Sequence, residues 1–258
     1  MVRVFAEFRH QRLESCDIVK CRHDTRIFLG DQQPNTPKTG QCVGAFYLQN
    51  PGSAEPTTVA RKSKDGLCRW PWGPTKPDPL MKSLIELLEK TLRKIERKDP
   101  RRAAQLQKNG YVQLLNLSYV CNAPKAKLAS EQWQEIIEAR KCTDDRLPDS
   151  SRLSFIVFGW GKGRYSDSRD GQRVARALSG VCQSRAYLVF PTAIGERRSA
   201  TRGVIVSTIQ VGGDPESLRS QLKRDSVYPR GANDERTEFS KLYIDALTPK
   251  LAGLLTTA

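Results

Sequence analysis

Gly44-Ala45-Phe46-Tyr47-Leu48-Gln49-Asn50-Pro51-Gly52-Ser53 is the stretch on which the reading of this chain turns. An apolar run stops abruptly at Asn-Pro-Gly. Pro51 bars a regular strand from continuing, and Gly52 permits backbone angles that other residues avoid. The run therefore predicts a buried strand that presents Asn50 at its carboxyl end. In an open parallel sheet, that edge is where ligands bind. The plainer reading of the same residues is a strand followed by an ordinary Asn-Pro turn.

Three further apolar runs share this form: Tyr111 to Leu117, Leu153 to Phe158 and Ala186 to Phe190. Each runs into an unusual loop. These are Asn116-Leu117-Ser118-Tyr119, Gly159-Trp160-Gly161-Lys162-Gly163 and Pro191-Thr192-Ala193-Ile194-Gly195. Helical patterns lie between the runs. Asp78 and Pro79 suit an N-cap and first helical position, and Leu80, Leu84, Leu87, Leu88, Leu92 and Ile95 then form an apolar stripe. Ser130 caps a second pattern with Trp133, Ile136 and Ile137. Asp170 to Leu178 is a third, stopped by Gly180.

Such alternation predicts an α/β protein with a four-stranded parallel sheet and helices on both faces. Val2 to Phe8 and Thr25 to Leu29 add short strands near the N-terminus. Val204 to Ile209 adds an edge strand, and Phe239 to Leu247 a terminal helix. Asn50 to Asp78 reads as one long irregular segment holding Trp70 and Trp72, and a segment of that length is usually functional or disordered. No composition shift divides the chain, so residues 1–258 read as one domain with a core at about 42–205.

Lys and Arg number 43 against 28 Asp and Glu, a net charge of +15. That excess favours a polyanionic partner, nucleic acid first, although a basic surface also serves solubility. The seven cysteines include no C-x-x-C pair, and only His10 and His23 accompany them. A zinc cluster is therefore poorly supported, and reduced thiols in a cytoplasmic protein are the simplest reading. The N-terminus lacks an apolar signal core, and no run is long enough to span a membrane.

If the four strands are parallel, their terminal loops share one edge and form one cleft. Asn50 and Asn116 would bring carboxamides, which read a nucleobase edge or orient a water but do not act as bases near neutral pH. Local capping of loop backbone is the alternative for each. Gly159 to Gly163 lets a phosphate backbone approach, without the spacing of a Walker loop. Lys162, Arg164, Arg197, Arg198 and Arg202 would neutralise phosphates, or else form a solvated surface. Trp70, Trp72 and Tyr119 stack on bases or anchor the core, and Trp160 has the same two readings.

These strand ends resemble the uracil-DNA glycosylase superfamily. Phe46-Tyr47-Leu48-Gln49-Asn50-Pro51-Gly52 is similar to the first motif of its mismatch-specific thymine/uracil branch, and to the Asn-Pro-Ser signature of an uncharacterised bacterial and phage family. Val112 to Asn116 resembles the strand whose final asparagine reads the flipped base. Val157 to Gly161 resembles the later strand ending in Trp-Gly, and Pro191 to Gly195 stands where the family has its Pro-Ser loop. The resemblance covers residues 42–205. It implies a glycosylase-like three-layer sandwich and a monofunctional DNA glycosylase, with Asn50 positioning the attacking water. Gln49, Pro51, Gly52, Ser53, Asn116, Tyr119 and Trp160 would surround the base. Trp70, Trp72, Lys162, Arg164, Thr192, Arg197, Arg198 and Arg202 would hold DNA, as a duplex with a flipped base or as a single strand. Neither a metal nor an organic cofactor is required.

The first motif here lacks the family's aspartate and the last lacks its histidine, both of which efficient uracil removal uses. With the added Trp-bearing segment, this points to a bulky modified base, such as the modified cytosines of phage DNA, and to a role in defence. A non-catalytic nucleic-acid-binding module on the same fold explains the charge, the aromatics and both missing residues. A small-molecule enzyme acting on a nucleotide is a third reading, against which the net charge argues.

Overall fold

The computed structural model describes residues 2–12, 17–31, 34, 40–48, 52–116, 119–121, 153–159, 186–194, 201–208, 244–245 and 247–256. Its strands are β1 (Arg3–Arg12), β2 (Ile18–Phe28), β3 (Gln41–Leu48), β4 (Glu55–Pro56), β5 (Arg61–Lys62), β6 (Cys68–Lys76), β7 (Gly110–Asn116), β8 (Phe155–Gly159), β9 (Ala186–Ile194) and β10 (Thr201–Thr208). Helices α1 (Pro79–Glu96) and α2 (Pro100–Asn109) lie between β6 and β7, and residues 247–256 are helical. The strand order is β10-β9-β8-β3-β7-β2-β1-β6-β4, with β5 also on β6.

The chain is therefore mixed α/β, built on an open sheet in which antiparallel pairings outnumber parallel ones. Strands β9, β8, β3 and β7 are neighbours and pair in parallel. The expected four-stranded parallel sheet is thus one part of a wider one. The N-terminal strands are not short additions: β1 and β2 span 10 and 11 residues and pair antiparallel, and β2 docks on β7. The segment after Asn50 is not irregular throughout, because Cys68–Lys76 forms β6 against β1. Period-two alternation there is hidden by Pro71, Gly73 and Pro74, which edge positions tolerate.

Local chemistry explains α1. The Asp78 side chain accepts the Met81 N–H at 2.8 Å, and Pro79 fills the first turn. Met81, Leu84, Leu87, Leu88, Leu92 and Ile95 are buried, each worth about 1.5–3 kcal/mol of transfer free energy. Leu80 was expected on this stripe but is 47% exposed; Met81 takes its place. Buried residues of α1, α2 and 244–255 join Val4, Phe8, Ile27, Phe46, Val112 and Phe155 in one core. Phe5, Phe28 and Tyr111 form a second cluster, against which Trp72 and Cys42 pack. Residues 244, 245 and 247, within the helix expected at Phe239 to Leu247, are helical, and the helix continues to residue 256; residues 239–243 and 246 lie outside the described residues.

Two local features set the sheet. Gly44 faces the Phe155 ring, and a Cβ there would enter it. Asp24 has φ of 39°, at a register shift between β1 and β2. The bulge puts His23 and Arg26 on one face, although three residues of plain strand would place them on opposite faces.

Register also fixes two projections. Leu48 is the partner of both Asn116 and Gly159, so three parallel strands end in one row. Thr25 pairs with Leu114, and β2 runs back from there to Ile18, paired with Arg12. This antiparallel arm extends past the row by about 15 Å, at roughly 3.3 Å per residue. On the other side, β9 pairs Leu188 with Phe158 and continues to Ile194, paired with Thr201 of β10. That hairpin passes the row by a similar length. Residues 191–194 therefore belong to a strand, not to the loop expected there. Five strand positions, β9 to β2, set the arms about 19 Å apart at roughly 4.8 Å per spacing.

Candidate functional site at the carboxyl edge

The row Asn116–Leu48–Gly159 is the floor of the site. Asn116 ends β7 and is buried. Its place follows from the alternation of Val112, Leu114 and Asn116 on one face, so the last position of an apolar row carries a carboxamide. The chain leaves β3 at Leu48 and returns to the described residues at Gly52. Gln49, Asn50 and Pro51 lie outside them, as do Trp160, Lys162, Arg164, Arg197, Arg198 and the helices expected at Ser130 and Asp170.

Gly52 stands against the Asp78 carboxylate; a Cβ on it would lie 2.6 Å from Oδ2. Left-handed backbone does not explain this glycine, since the positive-φ glycines among the described residues are Gly40 and Gly66. Space beside Asp78 explains it. Ser53 is exposed and Ala54 is buried in the main core.

Asp78 has a second partner that the sequence did not reveal. Arg22 Nη1 donates to Asp78 Oδ2 at 3.3 Å, and both side chains are buried, 1% and 3% exposed. The same nitrogen lies 3.7 Å from Met81 Sδ. Burial lowers the Arg22 pKa, and the neighbouring Asp78 charge opposes that shift. The first-motif loop thus returns against a buried ion pair that also caps α1. Arg22 stands opposite Phe8 in the β1–β2 pairing, and the bulge at Asp24 turns it inward.

On the other face of β2, His23 stacks on Tyr119 with ring centroids 5.1 Å apart and planes 16° apart. His23 Nε2 accepts from Arg9 Nε at 3.1 Å. Burial first, then the Arg9 and Arg69 charges, push the His23 pKa down to about 3. It is therefore a neutral ring at physiological pH. With Nε2 accepting, Nδ1 carries the proton, and Nδ1 has no hydrogen-bond partner among the described residues.

Thiol chemistry is suppressed around the site. Burial, with Cys121 adding to it, raises Cys21 to about 12; burial raises Cys121 and Cys42 to about 11. None of the three supplies a thiolate near neutral pH. No group of three or more His, Cys, Asp or Glu side chains suited to a metal occurs among the described residues.

Both tryptophans expected to contact DNA have packing roles on β6. Trp72 stacks on Phe5 with centroids 5.0 Å apart and donates its indole N–H to the Asp24 carbonyl at 3.1 Å. Trp70 meets His10 edge-on and lies under the Lys20 ammonium, 5.0 Å from the ring centre. Thr192 and Arg202 sit on the β9–β10 arm, in register with Gly203 and Ala193. The structure thus brings Asn116, Gly52 and Tyr119 to one edge and sets Thr192 and Arg202 on the opposite arm.

No protein-family profile, curated protein or solved structure matches this chain. No helix among the described residues is long and apolar enough to cross a membrane.

Proposed function

We propose that the protein is a monofunctional DNA glycosylase that hydrolyses the N-glycosidic bond of a flipped, modified base. One observation carries the proposal: the strand leading to Asn50 and the strand ending in Asn116 are parallel neighbours with their ends in register. Asn50 follows Leu48, the partner of Asn116, by two positions in the sequence, and on this reading the two carboxamides serve one cleft. On this reading β9-β8-β3-β7 is the centre of a glycosylase-like three-layer sandwich, the core is residues 42–205 of a single domain, and the N-terminal strands and terminal helix pack onto it.

The target nucleotide is drawn out of the stack into the cleft between the arms. Asn116 donates to and accepts from the base edge and supports the charge that develops on it. The C1′–N bond lengthens toward an oxocarbenium-like sugar, and its electron pair leaves with the base. Asn50 orients the water that adds to C1′. Addition to such a cation needs no strong base, so the water proton passes to solvent. A good leaving group suits this site, in which His23 is neutral and Asp78 is engaged by Arg22 and the α1 backbone. For the bulky modified cytosines of phage DNA, whose ring leaves less readily than uracil, the rate would rest on binding and on the charge stabilisation at Asn116, and excising them would make the enzyme an antiviral one.

The test is incubation with duplexes carrying uracil, mismatched thymine or bulky modified cytosines, followed by alkali. Strand breaks at a modified base are expected. DNA binding with no break at any base would instead make the protein a binding module.

A further inference from the structure

Arg61, Arg69 and Arg9 occupy directly opposed positions on β5, β6 and β1, so three arginines cross three adjacent strands in one row. Like charges directly opposite one another destabilise a sheet. Glu7 bonds Arg69 at 2.7 Å and His23 accepts from Arg9, but Arg61 adds a further cation to the row. Lys62 ends β5 and Lys64 follows in the β5–β6 turn; like Arg61 they are exposed, and Arg69 keeps 66% of its side chain exposed.

Topology gives the row its position. β6 runs antiparallel to β1, and β1 antiparallel to β2, so Cys68, Arg12 and Ile18 all lie at the carboxyl edge of the parallel strands. The β5–β6 turn therefore projects beside the row Asn116–Leu48–Gly159. Acidic side chains described on this arm are Glu7, Asp17 and Asp65. Glu7 is engaged by Arg69, and Asp65 accepts from Ser63 Oγ.

We propose that Arg61, Lys62, Lys64, Arg69 and Arg9 form a phosphate-binding rail. It holds the nucleic-acid strand flanking the nucleotide at the site. The partner class rests on the proposed function, but the rail does not depend on catalysis. A fold that keeps like charges aligned on a projecting edge compensates them when phosphates lie across it. Each phosphate neutralised releases condensed counterions, which gives the rail a measurable signature.

The experiment uses the full chain and a lesion-free duplex, with binding followed by fluorescence anisotropy between 50 and 200 mM salt. The variant Arg61→Ala/Lys62→Ala/Lys64→Ala removes three exposed cations. A matched control, Arg93→Ala/Arg97→Ala/Lys98→Ala, removes three exposed cations at the C-terminal end of α1, a helix about 27 Å long by helix rise. Thermal melts show that each variant is folded. The rail variant is expected to flatten the slope of log K against log salt by about 2–3, at roughly 0.9 per phosphate. Its affinity at low salt should fall at least tenfold, with the control unchanged. An unchanged slope in the rail variant overturns the proposal, as does wild-type protein that binds anionic phospholipid vesicles and no duplex. Abasic sites scored on a modified duplex separate the two claims. Asn50→Ala should lose strand breaks and keep the wild-type slope, whereas binding without breaks in every variant removes the glycosylase and leaves the rail.

Discussion

Replacing Asp78 tests how the first-motif loop is held. The carboxylate does two things: Oδ1 caps α1 through the Met81 N–H, and Oδ2 accepts from Arg22. Asp78→Ala removes both. Loss of an N-cap costs about 1 kcal/mol, and leaving a buried cation unpaired costs about 3–5 kcal/mol. The sum, about 4–6 kcal/mol, approaches the whole stability of a small domain, about 5–15 kcal/mol. Asp78→Asn is the cleaner probe, because asparagine caps as well as aspartate. It removes only the charge. The Arg22 contact is single and 3.3 Å long, and Arg22 Nε has no partner among the described residues, so the lower end applies, about 3 kcal/mol. Arg22→Met leaves Asp78 its cap and the helix dipole, which makes it the milder single change, about 2 kcal/mol. The double variant Arg22→Met/Asp78→Asn should lie within about 1 kcal/mol of wild type, since removing both charges relieves the desolvation of each. Urea unfolding followed by circular dichroism, with constant m-values, measures all four corners of the cycle. Asp78→Asn within about 0.5 kcal/mol of wild type, on the usual scatter of additive sites, would refute the reasoning: Arg22 would then not depend on that carboxylate.

Two further predictions concern the same edge. Gly52→Ala puts a methyl 2.6 Å from Asp78 Oδ2, so it should destabilise by about 1–3 kcal/mol and lower base excision more than duplex binding; equal loss of both, or of neither, contradicts the packing role. His23 has a folded pKa of about 3 against about 6.5 when unfolded, so the unfolded chain takes up the proton first. Its contribution to stability is full above pH 6.5 and is lost as pH falls toward 3, at up to about 1.4 kcal/mol per unit, or about 2 kcal/mol by pH 5. His23→Phe keeps a ring against Tyr119 and should flatten the melting temperature across pH 5–7; an unaltered pH dependence would show that His23 is not the titrating group.

The sequence carried the parallel strands well because each is a short apolar run closed by Gly, Pro or Asn. Val43 to Leu48 lies in β3, and Tyr111 to Asn116 in β7. It carried α1 through Asp78-Pro79 and the leucine spacing. It concealed β6, because two prolines and a glycine mimic a loop, and they fall at positions 70–74, where neither β4 nor β5 pairs with the strand. It concealed the full lengths of β1 and β2, because the polar end of β1, His10 to Arg12, pairs with the start of β2, Ile18 to Lys20, beyond the core, where Ile18 is exposed. At the site, Asn116 was legible from its position at the end of an apolar run. Arg22 and His23 were not, because the bulge at Asp24 breaks the alternation that would mark one inward and the other on the opposite face. Gly52 was noticed for the wrong property: it leaves room for a carboxylate 26 positions further along the chain.

The central claim is that Asn50 and Asn116 serve one cleft and break an N-glycosidic bond there. Its most direct test is single-turnover conversion of a duplex with a bulky modified cytosine to an alkali-labile abasic site, by wild type, Asn50→Ala and Asn116→Ala. Breaks at the modified base are expected from wild type, with losses of at least a hundredfold in both variants, as for removal of a group that orients or stabilises in the transition state. Full activity in Asn50→Ala, or no break at any base from a wild-type protein that binds the duplex, would contradict the account.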